Sequence, residues 1–98
     1  MGVKVLCVCG HGLGTALILK MSVEGALLEL GFKNPLVEPR AFSVAAEEDA
    51  DLYAITVEMV PHFKSKGIEN FIVIKDVTDK NEVKKAIAPF LDKLKKKT

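Results

Sequence analysis

Four apolar runs of strand length recur along the chain, each followed by a helical or turn-forming stretch, and no other feature constrains the fold as tightly. VKVLCV (3–8) is nearly continuous apolar and rich in β-branched side chains, the pattern of a strand buried on both faces of a parallel sheet. PLVEP (35–39) is framed by prolines, which lack the N–H that an inner strand needs on both sides, so it belongs at a sheet edge. DLYAITV (51–57) and NFIVIKD (70–76) supply the third and fourth strands. Between them, TALILKMSVEGALLELG (15–31) reads as a helix. Thr15 is placed to cap its start, Leu17, Met21, Glu24 and Leu28 fall along one stripe, and Gly31 suits its stop. Gly25 within it lowers helix propensity by about 1 kcal/mol, which points to close packing at that position. SVAAEEDA (43–50) fits a short helix capped by Ser43, and VPHFKSKG (60–67) a loop or a single helical turn. From Asp79 to Lys97 a helix carries Val83, Ile87, Phe90, Leu91 and Leu94 on one face, with Pro89 expected to kink or split it. This alternation implies βαβ units, right-handed crossovers and an α/β fold with a parallel sheet covered on both sides.

The 98 residues suffice for one domain with its own core and are too few for two, so 1–98 is read as a single unit. A formal net charge of +1 gives no overall field that would draw nucleic acid, and none is expected as a partner. Lys93 and Lys95 to Lys97 read as a solvated helix end whose cations complement the dipole. Met1-Gly2 does not make a myristoylation signal, because residue 6 is Leu where Ser or Thr is required. No secretory leader or bilayer-length apolar segment is seen, and Cys7 and Cys9, one residue apart, would form only a strained disulfide. A reducing, cytoplasmic setting follows.

The chemistry concentrates in CGHGLGT (9–15). The first strand ends at Val8 or Cys9, and in parallel α/β sheets ligands bind beyond the carboxyl ends of strands. Glycines let the backbone approach a ligand closely and turn successive N–H groups into one concavity that suits an anion. The following helix adds unpaired N–H groups and the positive end of its dipole. The same environment is expected to stabilise a Cys9 thiolate, where a depression of about 1.5 units from about 8.5 would leave the thiol roughly half ionised near pH 7.

Other readings of the loop fit less well. A dinucleotide fingerprint needs Gly-x-Gly-x-x-Gly. Counted from Gly10, the last glycine position holds Thr15; counted from Gly12, it holds Leu17. No Gly-Lys-Ser/Thr phosphate loop is present. Cys7, Cys9 and His11 could ligate zinc, but no fourth ligand is evident and a buried strand would hide Cys7, so no metal or other cofactor is expected. A cysteine phosphatase requires arginine six residues after the cysteine. Thr15 stands there for Cys9 and Leu13 for Cys7, while the chain's one arginine, Arg40, is remote in sequence. A degenerate phosphatase-like hydrolase and a non-catalytic anion-binding domain remain as alternatives.

VLCVCGHGLGTALILKMSVEGALLELG (5–31) resembles the amino-terminal part of the cytoplasmic IIB components of the bacterial sugar phosphotransferase system. The shared features are the opening strand, Cys-Gly-x-Gly-x-Gly before a small hydroxyl residue, and a helix containing LKM. The likeness is greatest to the ascorbate type, with galactitol- and lactose-type relatives more distant. It implies a doubly wound, four-stranded sheet of order 2-1-3-4 with helices on both faces, similar to flavodoxins and low-molecular-weight phosphatases. It implies that Cys9 accepts a phosphoryl group from a phosphohistidine on a IIA protein. The group would pass to a carbohydrate at the membrane IIC component, with Gly10, His11, Gly12, Leu13, Gly14, Thr15 and Ala16 as the phosphate cradle. A carrier must not lose its phosphoryl group to water, so the missing arginine accords with this resemblance. His11 stands where ascorbate-type relatives often carry Asn, and Leu13 suits a docking surface. His62 falls on the active side of the sheet, and Glu58 would disfavour phosphate if it lies close.

Overall fold

The computed structural model describes residues 3–96, so Met1, Gly2 and Lys97, the last cation of the basic run, lie outside it. The strands are β1 (Lys4–Val8), β2 (Leu36–Pro39), β3 (Leu52–Ile55) and β4 (Phe71–Val73), all parallel in the order β2-β1-β3-β4. The helices are α1 (Leu13–Glu29), α2 (Phe42–Ala45), α3 (Val60–Ser65), α4 (Lys80–Ile87) and α5 (Leu91–Lys95).

Period-two alternation along β1 divides the core. Val5, Cys7 and Cys9 face Leu19, Val23, Leu27, Val83 and Ile87, so α1, α4 and α5 cover one side of the sheet. Leu6 and Val8 face Ala45, Tyr53, Met59 and Phe63, so α2 and α3 cover the other. This is the doubly wound arrangement with helices on both faces.

Local chemistry explains the boundaries. Asp79 caps α4, its carboxylate accepting from the N–H groups of Asn81 and Glu82 at 3.0 and 3.2 Å. Pro89 splits the carboxyl-terminal helix as expected, with a 3₁₀ turn over Ala88–Phe90 between α4 and α5. Gly31 ends α1 region at φ 97°, a left-handed conformation that favours glycine. A Cβ at Gly25 would lie 3.1 Å from the Lys80 side chain, which places that glycine at the α1–α4 contact.

Four expectations change. The α2 helix begins at Phe42 after Ala41, so Ser43 sits inside it rather than capping it. The 57–65 region is more helical than read: a 3₁₀ turn over Val57–Met59 runs directly into α3 because Pro61 fits the first turn of a helix. On α1 the stripe Leu17, Met21, Glu24 and Leu28 faces outward, and Ala16, Leu19, Ser22, Val23, Ala26 and Leu27 pack inward. That helix is apolar on nearly every side, so periodicity alone offers no contrast from which to choose its inner face. Its first residue is Leu13, so Thr15 stands inside the first turn and caps nothing.

Candidate functional site

Cys9 follows the last residue of β1, and β1 lies between β2 and β3, where the order of strands reverses. Loops after β1 and β3 diverge there toward opposite faces of the sheet, leaving a cleft at the carboxyl end. The backbone turns at Gly12, whose φ of 108° and ψ of −179° are open to glycine and strained for any other residue. The Gly12 N–H donates to the Cys9 carbonyl at 3.3 Å, and the Gly12 carbonyl accepts from the Ala16 N–H at 3.1 Å. The second bond closes the first turn of α1. The N–H groups of Leu13, Gly14 and Thr15 therefore have no acceptor within the helix, and they stand at the positive end of its dipole.

A second wall comes from the segment after β3. Ile55 pairs with Val8, which brings Thr56 alongside the loop, and the Gly10 N–H donates to the Thr56 hydroxyl at 3.0 Å. Thr56 is buried; the backbone N–H of Glu58 itself, and after it the Thr56 hydroxyl, hold the Glu58 carboxyl below its ordinary range. Glu58 Oε1 lies 3.7 Å from His11 Nε2, on the open side of the loop. A Cβ at Gly10 would stand 3.1–3.3 Å from the Glu58 side chain, so glycine at this position lets the carboxylate's stem lie against the loop.

The expectation of an acidified thiol is overturned. The Cys9 thiol is pushed up to about 11, first by burial and then by the negative charge of Glu58. Cys9 is only 9% exposed and belongs to the α1-side core, which is the physical source of that desolvation. Cys7 is more deeply buried, and its thiol is pushed higher still.

The predicted cradle residues are thus contiguous in space but differ in what they offer. Among the described residues the backbone N–H groups of His11, Leu13, Gly14 and Thr15 donate to no acceptor, the last three at the start of α1; those of Gly10, Gly12 and Ala16 already donate within the chain. His11 is 71% exposed at its side chain and turned to Glu58. The His62 ring, on α3, lies 5.4 Å from that of Phe42. The guanidinium of Arg40 is engaged by Glu48 at 3.0 Å and by the Pro39 carbonyl at 2.9 Å. Thr56 escaped the sequence reading. Its signal was a threonine hydroxyl directly after the apolar run of β3, the place where a buried donor–acceptor can meet the neighbouring loop.

Outside the cleft, Leu13, Leu17, Ile18 and Met21 expose an apolar stripe that starts at the Cys9 loop and runs down α1. A hollow of about 640 Å³ lies at the amino-terminal end of the sheet, between the loops before β3 and β4, away from the thiol. No helix among the described residues is long and apolar enough to cross a membrane.

Two glycine substitutions check this geometry. Gly12→Ala is expected to lower stability by about 1–3 kcal/mol through backbone strain. Gly14 sits in the first turn of α1 with nothing within 4 Å of an added Cβ, so Gly14→Ala is expected to raise stability by roughly 0.5–1 kcal/mol. Urea unfolding of both variants measures these opposite signs.

The sequence model of the family described as PTS system, Lactose/Cellobiose specific IIB subunit matches residues 4–89. The Ascorbate-specific PTS system EIIB component of Mycoplasma pneumoniae is 26% identical over 89 residues, spanning 89% of this chain and 93% of that protein. Among solved structures, the lactose-specific IIB component domain of the phosphoenolpyruvate:carbohydrate phosphotransferase system from Streptococcus pneumoniae superposes with a TM-score of 0.60. It is 16% identical, with 94% of this chain and 97% of that chain covered, a likeness of fold.

Proposed function

Since the chain belongs to the lactose/cellobiose-specific IIB family of the phosphotransferase system, whose members are phosphotransferases of sugar uptake, we propose that Cys9 is the residue that carries the phosphoryl group. The observation that carries this reading is the position of Cys9 between a central strand and the three unpaired N–H groups of Leu13, Gly14 and Thr15. In the first step the Cys9 sulfur attacks the phosphorus of a phosphohistidine on a IIA protein. The S–P bond forms as the P–N bond breaks, and the thiol proton ends on the released imidazole nitrogen. The three N–H groups and the dipole of α1 receive the phosphoryl oxygens, replacing water with fixed donors. In the second step a carbohydrate hydroxyl oxygen displaces sulfur at the membrane IIC component. The S–P bond breaks, and the hydroxyl proton returns to the thiol.

Burial of the thiol suits this scheme. A cysteine that stays protonated until a donor docks reacts with that donor in preference to solutes. The exposed side chains of Leu13 and Leu17, in the first turns of α1 after the Cys9 loop, offer the IIA protein an apolar footing. The likeness to the Mycoplasma pneumoniae protein favours ascorbate or a related acid or polyol as the carbohydrate, and a cytoplasmic site of action. Residues 1–98 are read as a single IIB domain. A hydrolase is disfavoured because Arg40 is committed to Glu48.

The test is intact mass after incubation with phosphoenolpyruvate, the general phosphotransferase enzymes and a cognate-type IIA protein. One phosphoryl adduct is the expected result. An unmodified chain in the presence of a IIA protein that is itself phosphorylated overturns the reading.

A further inference from the structure

The Glu58 side chain lies against Gly10, the residue after Cys9, and its charge bears on the thiol, yet a phosphoryl carrier has no evident need for it. A phosphoryl group on Cys9 would add about two negative charges beside an existing one. The placement is nevertheless built from both sides. Thr56 anchors the carboxylate while accepting from the Gly10 N–H, and the missing side chain at Gly10 leaves room for the Glu58 stem at 3.1–3.3 Å. His11 flanks the same carboxylate from the β1 loop at 3.7 Å. Gly10 and His11 follow β1 while Thr56 and Glu58 follow β3, so the contact depends on the fold and not on a local turn.

We propose that Glu58 is a positioning residue that sets the energy of phosphocysteine: its carboxylate, fixed by Thr56 beside the Cys9 loop, repels the phosphoryl group and so favours its onward transfer to the carbohydrate. This rests on Cys9 being the phosphorylated residue. The S–P bond is formed and broken as described above, and Glu58 takes no proton in either step. Its effect is electrostatic and acts on the charged product of the first step. The two N–H groups at Gly10 and Gly12 that donate within the chain limit the stabilisation available to the oxygens, which works in the same direction. A species held too tightly would stall the relay, whereas one raised in energy discharges to the next acceptor. The other groups that bear on the two thiols are few. Cys9 and Lys20 of α1 act on Cys7 with opposite signs, and His11 stands beyond Glu58.

The experiment compares wild type with Glu58→Gln, which keeps an oxygen for Thr56 to donate to. In the absence of any donor, the rate of Cys9 alkylation, read on the Cys9 peptide, is followed against pH. The midpoint is expected to fall by about one pH unit in the variant. Both proteins are then equilibrated with phosphorylated IIA protein, without carbohydrate or IIC. The ratio of phosphorylated to free chain is expected to rise about three- to tenfold in Glu58→Gln. Coincident alkylation midpoints, or an unchanged or lower ratio while wild type is phosphorylated, overturn the inference alone. A wild-type chain that takes no phosphoryl group from a competent donor overturns the carrier reading and this inference with it.

Discussion

Cys9→Ser is expected to fold as wild type does and to gain no phosphoryl group under conditions that phosphorylate the parent chain. Serine is nearly the same size, and position 9 is at the rim of the core, so the stability cost stays within about 1 kcal/mol. The chemistry is lost because a serine hydroxyl ionises far less readily than a thiol and needs an adjacent base, while the nearby Glu58 carboxylate is held below its ordinary range by its own backbone N–H and by Thr56. Cys7→Ser is the counterpart. It buries a hydroxyl in the apolar cluster against α1 at a cost of about 1–3 kcal/mol, yet should still accept the phosphoryl group. Intact mass and thermal unfolding on the two variants give opposite patterns if the roles are as described. A phosphoryl adduct on Cys9→Ser would assign the transfer to another side chain.

Phe63→Ala is expected to cause the largest loss of stability. Phe63 is wholly buried in α3, and its ring lies 5.2 Å from Phe42, 5.3 Å from Tyr53 and 6.0 Å from Phe71. Truncation leaves a cavity among three other rings and should cost about 3–5 kcal/mol. For a domain of this size that lowers the melting temperature by on the order of 15 °C or more. The effect reaches the site, because α3 continues directly from the turn that carries Glu58. Val44→Ala, on the exposed side of α2, is the control and should stay within about 0.5 kcal/mol. A Phe63→Ala protein that melts with wild type would mean that the α3 side of the core is not closed around this ring.

Much of the architecture was legible because the signals that define it are local and strong. Continuous apolar runs marked β1 and β3 as inner strands, and paired prolines marked β2 as an edge. Pro89 marked the break between α4 and α5. What misled was α1. With Leu13, Leu17, Ile18, Met21 and Leu28 all outward, the helix has an apolar surface on both sides, and only the sheet decides which one is covered. The site was legible in part. Cys9, the glycines and the start of a helix can be read along ten residues. The ionisation of Cys9 cannot, because it depends on burial against α1 and on Glu58, which is remote in sequence and reaches the loop only through the pairing of β1 with β3. Thr56 was hidden for the same reason.

The two outer strands also limit how other proteins can hold this domain. β2 has four residues, is preceded by Pro35 and ends in Pro39, and β4 has three. Neither offers a partner a run of free backbone groups long enough to extend the sheet, so recognition by strand addition is closed off on both sides. Whatever docks here must read side chains on helices and loops. Such contacts form and release without unzipping a ladder of main-chain bonds.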